Sequence, residues 1–151
     1  MGSSPTTSAQ QALLEALAVA SQTGFVPGLD ELQPGLERLL RRIDGYVHGL
    51  GRLGTLNRAF LLLWADSITA PELGAIFRTR DEAFRADLRE DVAAGIAEGT
   101  VVPWAVPDDV ATAVLGQLRG IGLQRLLDPG AVDTDRLRRS VTEQWRRALS
   151  R

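Results

Sequence analysis

Side chains able to make or break bonds are scarce in this chain. His48 is its single histidine and it has no cysteine, which removes thiolate nucleophiles, thiolate metal sites and disulfides together. His48 follows Asp44 by one helical turn on a polar flank, where an exposed i,i+4 pair is the ordinary reading. A lone histidine cannot build a multi-histidine zinc site. Neither HExxH, nor a glycine-rich phosphate loop after a strand, nor a Ser-His-Asp set is present. The adjacent acids Asp108 and Asp109 suit the first turn of a helix, where the macrodipole favours them. The expectation is a protein without catalytic residues, metal or cofactor.

One carboxylate stands out by its place. Asp81 falls between Phe77 and Phe84 in an apolar stripe at helical spacing, where it must be neutral, paired or beside a water-filled cavity. Arg58 and Arg85 are the cations expected to pair with it.

The segments that position these residues all read as helices. Residues 1–7 have a disordered composition. Ser8 with Gln11 forms a capping box for a first helix to about Ser21. The stretch TGFVPGLD breaks it. A second helix runs from about Leu32 to Leu50, with Leu36, Leu39, Leu40, Ile43, Tyr46, Val47 and Leu50 on one side and Arg38, Arg41, Arg42, Asp44 and His48 on the other. Pro34 is tolerated only in its first turn. A third helix, about Thr55 to Ile68, is apolar around most of its circumference, which predicts a place in the middle of the fold. Pro71 and Glu72 open a fourth, to about Glu98, and Gly99 ends it. After the connector VVPWAVP, where Trp104 is expected to lid the core, Pro107 to Leu127 form a fifth. Asp133 caps a sixth, to about Leu149. Six helices without strand signal predict an all-α fold, a six-helix orthogonal bundle forming a single domain over residues 8–150.

The fifth helix has two apolar faces. At roughly 100° per residue, Val110, Ala111, Val114, Leu115, Leu118, Ile121, Gly122 and Leu126 sweep one side. Ala113, Gly116, Gly120, Leu123 and Leu127 form another, with Thr112 and Arg119 on the polar boundary. Each glycine costs about 1 kcal/mol against alanine inside a helix. Close approach by a helix of a second subunit would offset that loss, so the second face is expected to be a dimer interface.

Composition narrows the class further. The chain has 151 residues, 44% apolar and 24% charged, with a formal net charge of -2, which fits a domain with a real core and argues against an electrostatic nucleic-acid binder. All 17 basic residues are arginine, a usage expected of GC-rich bacterial coding. The residues after Met1 lack a charged start and an apolar run, and the densest apolar stretch, AFLLLWA, is far short of the ~20 residues of a membrane span. The expectation is a cytoplasmic protein with no membrane contact.

Three blocks carry a resemblance. They are AFLLLWADSITAPEL followed by the Arg- and Glu-rich helix ending AAGIAEGTVVP, then PDDVATAVLGQLRGIGLQRLLDPGAVD, then the closing amphipathic helix. Together they resemble the C-terminal ligand-binding and dimerisation domain of TetR-family transcriptional regulators, well over residues 55–150 and in outline over residues 8–50. The family's N-terminal helix-turn-helix unit has no counterpart before Gln10, so this chain by itself is not expected to bind DNA. The resemblance implies a repressor acting as a homodimer, with the last two helices of each subunit pairing in a four-helix bundle. It also implies a small, mostly apolar effector among the earlier helices.

Under that resemblance Tyr46, Phe60, Trp64, Phe77, Asp81 and Phe84 become candidate ligand-binding residues, with plain core packing, or an arginine partner for Asp81, as the alternative. The interface candidates are Ala113, Gly116, Gly120, Leu123, Leu127, Val141, Trp145 and Leu149. For Trp145, burial on the subunit's own core is the alternative. A helical dimerisation module that binds no ligand is the competing reading of the whole chain.

Overall fold

The structure, a computed structural model, describes Gln11, Val26, residues 28–52 and residues 54–151. The expected disordered start and all of the expected first helix except Gln11 lie outside the described residues. The rest is helical: α1 (Leu36–Arg52), α2 (Gly54–Asp66), α3 (Pro71–Glu98), α4 (Pro107–Leu127) and α5 (Thr134–Leu149), with short 3-10 turns at Leu29–Glu31 and Pro129–Ala131. Among the described residues there is no strand, only an isolated bridge between Val101 and Ser150. That bridge, with Val102 N donating to Leu149 O at 2.9 Å, pins the connector to the end of α5.

Local chemistry sets these boundaries. Pro71 occupies the first turn of α3, where its missing N–H costs nothing. Gly99 ends α3 at φ 78°, a left-handed conformation that a Cβ disfavours. Asp133 caps α5 by accepting from Arg136 N at 3.0 Å. α2 and α3 meet at a bend of 118°. Helix α1 begins at Leu36, later than Pro34, because Gly35 adopts φ 155° and delays the turn.

The middle of the fold belongs to α1, which touches all four other helices, and not to the apolar α2. Leu39, Ile43 and Val47 are fully buried, while Leu62 on α2 stays half exposed. A helix with a charged flank can be central only if neighbours answer its charges, and here they do. Arg38 Nε and Arg42 Nε donate to the two oxygens of Asp91 on α3 at 2.6 and 3.0 Å, and Gly35 N adds a third donor at 3.3 Å. From α5, Arg138 grips Asp44 through Nε and Nη2 at 2.8 and 2.9 Å, and Arg146 grips Glu37 at 2.6 and 3.1 Å. His48 does not pair with Asp44. Its Nδ1 faces Arg138 Nη1 at 2.9 Å and its Nε2 faces Arg52 Nη1 at 3.2 Å.

The Glu37–Arg146 clamp gives a pH prediction. The hydrogen bond from Arg146, and secondarily its charge, hold the Glu37 carboxyl below its ordinary value. A depressed folded value stabilises above the unfolded pKa, and that contribution disappears as pH falls through the folded one. Both side chains are largely exposed, so the effect is small. Glu37→Gln should flatten the acid limb of a Tm-against-pH curve below about pH 4 and leave the neutral region almost unchanged; an identical acid limb in both proteins would remove this clamp from the list of acid-sensitive contacts.

Candidate functional site

Four helices deliver side chains to one buried guanidinium. Arg119 of α4 is 5% exposed. Its Nη1 donates to Tyr46 Oη of α1 at 2.9 Å and its Nη2 to Asp81 Oδ1 of α3 at 3.0 Å. The other Asp81 oxygen accepts from Trp64 Nε1 of α2, also at 3.0 Å. The guanidinium carbon lies 4.5 Å from the Phe60 ring centroid, 5.6 Å from Trp64 and 5.8 Å from Tyr46, within the range where aromatic faces attract a cation. Phe77 meets Phe60 edge-on at 5.3 Å, and Phe84 lies 6.3 Å from Tyr46. Arg80 reaches the same Phe60 ring at 4.9 Å. Burial, then the charge of Arg119, push the Arg80 guanidinium below its usual range.

All six residues picked as ligand candidates therefore converge on one place. Sequence periodicity groups them because each lies at a helical interval on an inward face. The residue at the centre was missed: Arg119 was set on the polar boundary of its helix, and it is buried instead. It also corrects the partner of Asp81, which is neither Arg58 nor Arg85; Arg85 pairs with Glu82 at 3.2 Å. A buried carboxylate in an aromatic stripe was the signal that a cation had to arrive from somewhere, and helix α4 supplies it.

The reverse side of α4 is different. A Cβ built on Gly116 or Gly120 meets nothing within 4 Å, whereas on Gly122 it would come within 2.9 Å of Leu61 and 3.5 Å of Leu50. Gly122 thus serves close packing inside the subunit, and the other two glycines do not. Ala113, Gly116, Leu123 and Leu127 are exposed, Leu127 by 89%. Gly120 belongs to a groove of about 560 Å³ between α4 and α5, edged by Gln117, Gln124, Ser140 and Gln144 with Ile121, Leu137 and Val141 at its base.

Helix α5 spends its apolar stripe at home. Val141 and Leu149 are each 4% exposed and sit in the subunit's own core, and Trp145 packs against it while donating Nε1 to Gln117 Oε1 at 2.6 Å. The stripe is covered by α1, which α5 follows along its length through the Asp44–Arg138 and Glu37–Arg146 pairs. Trp104 lids nothing, being 77% exposed, because the connector is pinned to α5 through its valines rather than folded over the core.

Residues 34–150 match the family model of the BetI-type transcriptional repressor, C-terminal. The chain belongs to this family. It carries the C-terminal domain of a TetR-family regulator. No curated protein and no solved structure matches it. In this BetI-type domain the match begins at Pro34, immediately before α1, and closes at Ser150, immediately after α5, so both the Arg119 cluster and the glycine flank lie within it. Among the described residues of the BetI-type domain, no group of histidine, cysteine, aspartate or glutamate is arranged to hold a metal ion, and no single helix is long and apolar enough to cross a membrane.

Proposed function

We propose that this domain senses a small, mostly apolar effector at the Arg119 cluster and pairs with a second copy through α4 and α5 in a four-helix bundle. Its output would be the spacing of two helix-turn-helix readers of the kind the family carries N-terminal to this domain. One observation carries the reading: a single helix, α4, presents a buried guanidinium ringed by aromatics on one side and an open glycine flank on the other. Whatever displaces Arg119 from Tyr46 and Asp81 shifts α4, and a shift in α4 changes the face offered to a mate. Such coupling requires the effector to bind the two arrangements unequally. The role is one of binding, not catalysis.

The competing reading is a dimerisation module that binds no ligand, and it draws support from Arg119 itself filling the aromatic cluster. Thermal denaturation against a panel of small organic molecules separates the two. A ligand at one hundred times its Kd adds about 2.7 kcal/mol, which in a chain of this size raises Tm by about 5–10 °C. A hit that is lost in Phe60→Ala supports the sensor. A Tm that stays flat across the panel favours the module.

A further inference from the structure

We infer that the effector is an anion, a monocarboxylate on an apolar body, held by the Nε edge of Arg119; this rests on the sensor reading and narrows it to one ligand chemistry. A guanidinium offers carboxylates a fork made of Nε–H and one terminal N–H. On that edge Nη2 is taken by Asp81 Oδ1 at 3.0 Å, while Nε is buried and has no partner among the described residues. Asp81 does not close the fork, because its second oxygen is held by Trp64 Nε1 at 3.0 Å. Tyr46 has already taken Nη1.

An unmet N–H on a buried cation costs about 1–3 kcal/mol or more, and native interiors leave few of them. What the cluster lacks is an acceptor from outside. Its charge decides what sort. Arg80 and Arg119 share the Phe60 ring at 4.9 and 4.5 Å, and Asp81 is already engaged by Arg119 and Trp64. A cation entering here meets two like charges and finds no free carboxylate oxygen, whereas an anion is attracted by both guanidinium groups. Phe60, Phe77 and Phe84 supply apolar walls for the rest of the molecule. Tyr46, Trp64, Arg80, Asp81 and Phe84 each keep part of their surface exposed, so the cluster opens outward.

The test uses the full chain and matched probes that differ in charge alone. Phenylacetate, 3-phenylpropionate and short-, medium- and long-chain aliphatic carboxylates would be titrated calorimetrically beside their primary amides and the trimethylammonium compounds of equal size. The acids are expected to bind, the amides to bind about tenfold or more weakly, and the ammonium compounds not at all. Arg119→Gln leaves Asp81 without its cation and is liable to unfold, so the paired variant Arg119→Gln/Asp81→Asn is the one to titrate, and it should lose the acids' advantage over the amides. If amides or ammonium compounds bind as tightly as the acids, the anion assignment is wrong and the sensor reading stands. If no probe of any charge binds, both fall.

Discussion

Gly120→Leu is expected to convert a dimer into monomer at micromolar concentration, read by sedimentation. In the subunit alone, a side chain at position 120 meets nothing within 4 Å, and replacing a helical glycine should stabilise by about 1 kcal/mol. Against the same face of a second copy the sign reverses. Overpacking a close helix contact costs about 1–3 kcal/mol, and a two-fold interface counts it twice. The dissociation constant should therefore rise by about 30-fold to about 20,000-fold. Arg78→Ala, on the exposed side of α3, should leave the assembly untouched. A Gly120→Leu protein that sediments like its parent and melts higher would mean that this flank faces water.

Asp91→Ala is expected to lower Tm by about 6–20 °C. Asp91 is fully buried and accepts from Arg38, Arg42 and Gly35 N. Removing it leaves two guanidinium groups, each with 14% of its side chain exposed, without the charge that brought them inside. Breaking a buried ion pair in this way costs about 3–5 kcal/mol, and about 2–4 °C follows per kcal/mol in a domain of this size. The same reasoning predicts a rescue. Replacing all three charges with apolar residues, as in Asp91→Ala with Arg38→Met and Arg42→Leu, should recover much of the loss, because desolvating the charges opposes their attraction. A fall of under 1 kcal/mol in urea denaturation of Asp91→Ala would show that water reaches this seam and that α1 is held by apolar packing alone.

Much of the architecture could be read before any coordinates. Pro71, Gly99, Pro107 and Asp133 delimit α3, α4 and α5 because capping and turn preferences act over one or two residues. The inward stripes of α1, α3 and α4 follow from helical periodicity, which belongs to a single segment and needs no partner to be visible. The two-sidedness of α4 was legible for the same reason, and so was the grouping of Tyr46, Phe60, Trp64, Phe77, Asp81 and Phe84.

Partnership between charges was not. Arg119 meets Asp81 and Tyr46 across 38 and 73 residues of chain, and Arg38 meets Asp91 across 53. Periodicity places an arginine on a polar flank and cannot tell whether that flank faces water or a carboxylate on another helix. This is why α1 sits at the centre with its charges answered, why α5 covers its own stripe against α1, and why Val141 and Leu149 point inward. Helix crossing geometry sets those pairings, and it emerges only when all the segments pack at once. The amino-acid sequence determined which segments are helical and which of their faces are apolar; the tertiary structure alone decided which charges lie inside, because burial of an ion depends on what stands opposite it.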